Sequence, residues 1–298
     1  MLKLSIDGRV ENQAYVNYDY VAMTTISFIG LGNMGSAIAR AISNQIKEDE
    51  TSYNIGIYDK SDEVVNKIAA EFKNNGTFYV RYNSIADLVE KSNIVVLCVK
   101  PQILSSIYDE IKAANKNNAK FISIAAGVNT KTLCENLNTN DVVRFMPNIA
   151  AKASSAITAV AASEKCSKEH CENAMEIAKT VGEAFVLDED KFSAFIGISG
   201  SAIAYVFEFI HAIGLGGTRE GIPYDKSVEI AFQTMESAAA LYNLEKENPI
   251  SLMTKVCSAG GTTIEGVKAL SEGNFENTII NAVSAATQKS KELEKKSL

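Results

Sequence analysis

Residues 28–42 read FIGLGNMGSAIARAI, which is typical of a short apolar strand, a glycine turn and an amphipathic helix in succession. Gly30, Gly32 and Gly35 fit the pattern G-x-G-x-x-G. In that pattern the first glycine permits a tight turn, the second lets backbone approach a pyrophosphate, and the third lets the helix pack on the strand. The helix N-terminus adds partial positive charge. With the acidic Asp59 closing the next strand, this stretch predicts a dinucleotide site.

The segments around this stretch alternate between strands and helices. Eight strand-like runs are expected between residues 23 and 188: ISFIG, YNIGIYD, FYV, IVVLCV, KFISIAA, VVRFM, AITAVAA and EAFVL. Runs such as IVVLCV show no polar alternation, as expected for a parallel strand covered by helices on both faces. The pattern therefore predicts an α/β fold that begins with a Rossmann-type, doubly wound parallel sheet.

Beyond residue 188 the sequence predicts only helices. The segment 202–213 is apolar nearly all round, so it needs burial on every side, within its own domain or against a second subunit. The predicted organisation is an N-terminal extension over residues 1–22, a dinucleotide-binding domain over 23–188 and an all-helical domain over 189–298.

Composition narrows the possible partners and location. The chain of 298 residues is 46% hydrophobic and carries a net charge of −7, which argues against nucleic acid or an anionic membrane as the main partner. It has no uninterrupted apolar run of ~18 residues, and its first residues lack the layout of a secretion signal. These features predict a cytoplasmic protein with small-molecule partners.

Metal chemistry is not expected. The five cysteines are an odd, scattered set, typical of reduced thiols rather than a disulfide framework. Cys166, His170 and Cys171 lie close together in sequence, but no second pair completes a tetrahedral site.

A second glycine turn lies in the stretch CSAGGTTIEGVKAL, residues 257–270. Gly260 and Gly261 free the backbone, and Thr262 and Thr263 begin a helix. Several unpaired backbone N–H groups at a helix start suit a carboxylate. The sequence therefore predicts one turn for a pyrophosphate and another for a small acid; capping of the helix alone is the alternative.

The residues that end the second predicted strand bear on the choice between NADH and NADPH. Asp59 can accept hydrogen bonds from both ribose hydroxyls, which favours NADH and repels a 2′-phosphate. Lys60 and Ser61 follow directly and can bind that phosphate, so NADH and NADPH both remain open.

Six segments also occur in one order along the chain: FIGLGNMG (28–35), VKPQ (99–102), ISIAAGV (122–128), RFMPN (144–148), GISGSAIAYVFEFI (197–210) and SAGGTTIEGVKAL (258–270). In these segments the sequence resembles the pyrroline-5-carboxylate reductase family, which reduces a cyclic imine to proline. The resemblance implies that the helical domain mediates dimerisation and binds substrate. It further implies a homodimer that can assemble into rings.

The resemblance also implies site residues. Together with Asp59, the implied cofactor-binding residues are Gly30, Leu31, Gly32, Asn33, Met34, Gly35, Asn83, Val99, Lys100, Pro101, Ala126 and Gly127. The implied substrate-binding residues are Ser258, Gly260, Gly261, Thr262 and Thr263. Thr263 is also the implied catalytic residue, because it matches the threonine near the imine nitrogen.

Three positions depart from the family pattern: Ile149, Ile203 and Ala259 stand where relatives usually carry threonine, proline and proline. These changes make the loops less rigid and the pocket more apolar. They leave open a reductase of another cyclic imine or a non-catalytic dinucleotide-binding sensor. A 3-hydroxyacid dehydrogenase is a further alternative, because its relatives share the motif GLGNMG.

Overall fold

A single eight-stranded sheet organises the first part of the chain. The computed structural model describes residues 24–49 and 53–297, so the predicted extension over 1–22 lies outside the described residues. The strands are β1 (Thr24–Ile29), β2 (Tyr53–Tyr58), β3 (Tyr79–Arg81), β4 (Ile94–Leu97), β5 (Lys120–Ser123), β6 (Val142–Pro147), β7 (Ala156–Ala162) and β8 (Gly182–Val186).

Helices connect these strands and then continue alone. Those of the sheet region are α1 (Asn33–Asp49), α2 (Asp62–Asn74), α3 (Ile85–Glu90), α4 (Pro101–Ala114), α5 (Thr130–Leu137) and α6 (Lys168–Lys179). Those that follow are α7 (Phe192–Phe195), α8 (Ala202–Arg219), α9 (Tyr224–Glu245), α10 (Pro249–Val256), α11 (Thr262–Glu272) and α12 (Phe275–Ser297). Short 3-10 turns occupy Ile149–Ala153 and Glu189–Lys191, and a π-helical segment, Ile196–Gly200, joins α7 to α8.

The strand order is β3-β2-β1-β4-β5-β6-β7-β8. The first six strands are mutually parallel, which confirms the predicted doubly wound arrangement. Their carboxyl ends therefore lie on one edge of the sheet, and the order reverses between β1 and β4. A ligand crevice forms at such a switch point.

The last two strands run opposite to the first six. β7 pairs antiparallel with β6, and β8 pairs parallel with β7. Only a short segment containing the 3-10 turn joins β6 to β7, whereas a parallel crossover needs a dozen or more residues. α6 supplies such a crossover between β7 and β8.

Two apolar layers cover the sheet. α1, α2 and α6 pack on one face, and α3, α4 and α5 pack on the other. Ile38 and Ile42 on α1 are each 1% exposed, so each contributes about 1.5–3 kcal/mol of burial free energy. Gly35 lets α1 approach this closely, because a Cβ there would lie 2.3 Å from the Gly30 carbonyl oxygen.

Two packing interactions are prominent in the helical region. α8 and α9 pack as an antiparallel pair, and a Cβ on Gly214 would lie 2.7 Å from Val228 Cγ2. α12 returns to pack against α7 and the π-helical segment. Most of α8 is nevertheless uncovered, since only Ile210 and Gly214 are buried and Phe207 is 56% exposed.

The helix formed by residues 189–219 is long and apolar enough to cross a membrane by length and composition alone. Core helices of soluble proteins pass the same test, so length and composition do not by themselves place this helix in a membrane.

Candidate active site

The first glycine turn has the conformation that its sequence predicts. Gly30 has a φ of +97°, which favours glycine, and its N–H donates to the Tyr58 carbonyl at 2.9 Å. The third glycine, Gly35, lies against Gly30 and Cys98. Desolvation raises the pKa of the Cys98 thiol well above its usual range, so that side chain acts as neutral packing.

Gly32 differs from its two neighbours because it faces open space. A Cβ built on Gly32 meets no protein atom within 4 Å, and α1 begins at the next residue. No contact inside the described protein requires glycine here. The open space leaves room for an approaching ligand, and the N–H groups at the start of α1 suit the phosphates of a dinucleotide.

Asp59 is already engaged by backbone. Its Oδ2 accepts a hydrogen bond from the Leu31 N–H at 2.7 Å, and its Oδ1 accepts one from the Ser61 N–H at 2.9 Å. The carboxylate thus ties the turn after β1 to the turn after β2, a role that sequence reasoning missed. Each oxygen keeps a further lone pair for a ribose hydroxyl.

The remaining cofactor candidates also follow parallel strands. Asn83 is exposed between β3 and α3, and Lys100 precedes α4 with Pro101 at its first helical position. Ala126 is exposed, and Gly127 has a φ of +77° in the loop between β5 and α5. The sheet therefore places these candidates on the same edge as the glycine turn.

A buried polar pair closes this edge where β6 ends. Asn148 Nδ2 donates to Ser199 Oγ at 3.1 Å, and each residue is 7% exposed. Asn148 Oδ1 accepts from the Ala150 N–H at 3.1 Å. Ser199 belongs to the π-helical segment, and such segments occur frequently at functional sites. The motifs containing both residues were visible in the sequence, but their pairing was not.

The second glycine turn lies between α10 and α11. Gly260 has a φ of +66°, and the Gly261 N–H donates to the Ser258 carbonyl at 3.0 Å. Gly261 is the N-cap residue of α11 and has no side chain to cap it. The first N–H groups of α11, beginning at Thr262, therefore remain available to a carboxylate. Thr263 lies half-buried in the same turn.

The two glycine turns belong to different parts of the molecule. Across residues 24–49 and 53–297, no hydrogen bond or ion pair joins 258–263 to the sheet region. The fold of one described chain thus collects the cofactor candidates at one edge and leaves the substrate candidates on the helical region.

The cysteine–histidine segment belongs to the core. His170 is fully buried, and its Nε2 lies 2.9 Å from the Phe121 carbonyl, to which it donates. Burial lowers the pKa of His170, so the neutral ring is favoured. Within the described ranges, no group of three or more potential ligands could hold a metal ion.

The fold and its first glycine turn define a dinucleotide-binding oxidoreductase with a helical C-terminal region. The chain is 36% identical to pyrroline-5-carboxylate reductase from Methanosarcina acetivorans, over 91% of this chain and 98% of the relative. It is 32% identical to pyrroline-5-carboxylate reductase from Pisum sativum, over 90% of this chain and 96% of the relative. The chain belongs to the pyrroline-5-carboxylate reductase family.

Domain families and a solved structure agree. Residues 189–293 match the family described as pyrroline-5-carboxylate reductase dimerisation, and residues 25–127 match NADP oxidoreductase, coenzyme F420-dependent. The structure of a pyrroline-5-carboxylate reductase from Coxiella burnetii has a TM-score of 0.81 at 26% identity and covers 91% of this chain and 98% of its own. The apolar α8 is therefore part of a dimerisation domain, and the protein is a homo-oligomer.

A charge on the exposed face of α8 should weaken this dimer. Phe207 and Phe232 have ring centroids 6.2 Å apart and are 56% and 44% exposed. Because burying an unpaired carboxylate is costly, we expect Phe207→Glu to raise the dimer dissociation constant about 100-fold. Sedimentation across a dilution series measures this, with Lys226→Gln on exposed α9 as control. An unchanged dissociation constant for Phe207→Glu would place the interface elsewhere.

Proposed function

We propose that this protein catalyses the NAD(P)H-dependent reduction of 1-pyrroline-5-carboxylate to L-proline, the last step of proline biosynthesis. The observation that carries the proposal is the match to reductases of this name along nearly their whole length. In enzyme classification this is an oxidoreductase acting on a CH–NH group, EC 1.5.1.2.

The cofactor turn fits a pyridine nucleotide. Open space at Gly32 leaves room for a pyrophosphate, and the start of α1 offers N–H groups to it. Lys100, Ala126 and Gly127 would line the path from the diphosphate towards β6. When bound, the reduced nicotinamide supplies hydride for the imine carbon.

The substrate turn would hold the amino-acid end of the substrate. The uncapped N–H groups of α11 would bind the carboxylate, with Ser258, Gly260 and Gly261 shaping the turn. Thr263 would hydrogen-bond the ring nitrogen and orient it. An imine nitrogen accepts a proton readily, so positioning can supply much of the rate: an effective molarity of ~10⁵ M corresponds to about 7 kcal/mol.

We further propose that each active site uses two protomers. The cofactor edge and the 258–263 turn are not linked within the described chain, and the exposed apolar faces of α8 and α9 lie on the dimerisation domain. Dimerisation would bring one protomer's substrate turn to its partner's sheet edge. The same proposal includes the assembly of several dimers into a ring.

The decisive experiment is an assay of purified protein with 1-pyrroline-5-carboxylate and each reduced cofactor. Oxidation of NADH or NADPH together with appearance of proline supports the proposal. Cofactor binding without turnover would instead favour a sensor, for which the departures at Ile149, Ile203 and Ala259 are the motivation. Turnover only with a different ring would favour another cyclic-imine reductase.

A 3-hydroxyacid dehydrogenase is disfavoured by the state of the lysines it would need. Lys226 Nζ is held at 2.9 Å by both carboxylate oxygens of Glu229. Lys255 Nζ donates to Glu245 at 2.9 Å and to Glu247 at 2.7 Å. Both lysines lie in exposed ion pairs, and neither belongs to the 258–263 turn.

We propose a preference for NADH that depends on Asp59. Asp59→Ser should lower kcat/KM with NADH about tenfold and with NADPH less, because the ribose acceptor and its repulsion of the 2′-phosphate disappear together. Steady-state kinetics with both cofactors measure this ratio. Asp62→Ser, at an exposed position of α2, is the control, and a parallel fall with both cofactors would limit Asp59 to holding the Leu31 and Ser61 amides.

The domain division after residue 188 and a cytoplasmic location are also proposals. Residues 187 and 188 separate β8 from the 3-10 turn Glu189–Lys191, so limited proteolysis that yields two stable fragments should cut within this short connection. Cell fractionation with an antibody to the chain tests the location.

A further inference from the structure

A buried charged cluster lies where the sheet region meets the helical region. Arg144 on β6 is 2% exposed, and its Nη1 donates to Glu189 Oε1 at 2.9 Å. Its Nη2 lies 3.9 Å from Glu294 Oε1 on α12, and its guanidinium stacks 5.1 Å from the Phe192 ring centroid. We call Arg144, Glu189 and Glu294 the junction cluster.

Glu189 connects this cluster to the loop after β5. Its Oε1 accepts from the Thr130 N–H at 2.9 Å, and its Oε2 accepts from Thr130 Oγ1 at 2.8 Å. Thr130 is the first residue of α5 and follows directly on the loop that contains Ala126 and Gly127. The first residue of the helical region thus anchors one of the loops proposed to line the path of the cofactor.

Arg144 connects the same cluster to the end of β6. The strand continues from Arg144 to Pro147, and Asn148 then pairs with Ser199 of the π-helical segment. The helical region therefore holds the end of β6 at two points, one at Arg144 and one at Asn148. Because both points lie on one short stretch, they fix its direction as well as its place.

The far end of the chain completes the junction cluster. Ser193 Oγ donates to Glu294 Oε2 at 3.1 Å and lies 3.0 Å from Ser290 Oγ, so the last turns of α12 are bound to α7. Arg144 Nε and Nη2 are buried and have no hydrogen-bond partner. Since Nη2 already faces Glu294, a small approach of α12 would complete that second bond.

We propose that Arg144 and Glu189 are positioning residues for hydride transfer. Together they hold the loop before α5 and the end of β6 in register with the helical region, which is the dimerisation domain, so that the nicotinamide of one protomer and the imine held by its partner meet at the reacting distance. Apolar replacements of a buried ion pair are often neutral or stabilising, so stability alone is a weak reason to keep this charge buried. The inference rests on the proposed function.

The test uses the full-length protein and the variants Glu189→Gln, Arg144→Lys and Arg144→Met. We expect Glu189→Gln to lower kcat tenfold or more while the cofactor dissociation constant stays within about twofold, because small misplacements of reacting groups cost up to ~100-fold. Lysine keeps the charge but not the planar fork, so Arg144→Lys should lose less kcat than Arg144→Met. Nicotinamide fluorescence measures cofactor binding, and thermal unfolding confirms folding.

Glu71→Gln is the matched control, because Glu71 binds Arg40 through two hydrogen bonds of 2.6 and 3.2 Å on the surface of the sheet region. Its kcat should equal that of the wild type. If Glu189→Gln does not fold, Thr130→Ala removes the hydroxyl half of the link to the loop and keeps the backbone half, so it should still lower kcat, by a smaller factor. A folded Glu189→Gln or Thr130→Ala variant with wild-type kcat would overturn this inference and leave the proposed function standing. A folded wild type that binds cofactor but reduces no imine would overturn the proposed function as well.

Discussion

Replacement of Gly32 by valine should strongly weaken cofactor binding and leave the protein folded. A Cβ at this position meets nothing within 4 Å, and the residue is not in the left-handed region, so the free protein can accommodate a side chain. The valine methyl groups would fill the space needed by a pyrophosphate. We expect the cofactor dissociation constant to rise about 100-fold or more, equivalent to about 2.7 kcal/mol.

Calorimetric titration with NADH and NADPH measures that loss, and thermal unfolding without cofactor confirms the fold. Gly35→Ala is the informative comparison, since its Cβ would lie 2.3 Å from the Gly30 carbonyl oxygen. That variant should lose stability and binding together. Tight cofactor binding by Gly32→Val would show that the dinucleotide does not cross this turn.

Thr263→Ala should lower kcat/KM for the imine about tenfold or more, with most of the loss in kcat. The hydroxyl of Thr263 lies in the second glycine turn, half-buried at the start of α11. Its proposed hydrogen bond orients the ring nitrogen as the proton arrives, so removal should affect the transition state more than substrate binding.

Thr263→Ser keeps the hydroxyl and should recover most of the activity. Thr254→Ala serves as control, because Thr254 Oγ1 donates to the Ile250 carbonyl at 2.9 Å on the exposed α10. Steady-state kinetics over a range of imine concentrations separate kcat from KM. An unchanged kcat/KM for Thr263→Ala would remove Thr263 from the chemistry.

The secondary structure could be read from the sequence because its signals are local. All eight predicted strand runs occur, and the helices after residue 188 follow without further strands in the described chain. The reversed direction of β7 was not predicted, because an apolar run such as AITAVAA has the same pattern in either direction. The connection between β6 and β7 is too short for a parallel crossover. That could be judged only once the ends of both strands were known.

The candidate site likewise has features that the sequence predicted and one that only the structure showed. The glycine turn at 30–35 and the turn at 257–263 were predicted from residue types at short spacing, because backbone conformation and close approach select glycine locally. The double engagement of Asp59 by Leu31 and Ser61 was not predicted, since one of those amides lies 28 positions away.

By itself the sequence determined where the chain turns, which segments are apolar on both faces, and where two helices begin with free N–H groups. Only the tertiary structure decided that Arg144 meets Glu189 and Glu294, and that Asn148 meets Ser199. The physical reason is the separation in sequence between the residues that interact. A turn or a helix start depends on the conformations of adjacent residues, whereas a buried pair depends on the path of all the chain between its members and on its exclusion from water.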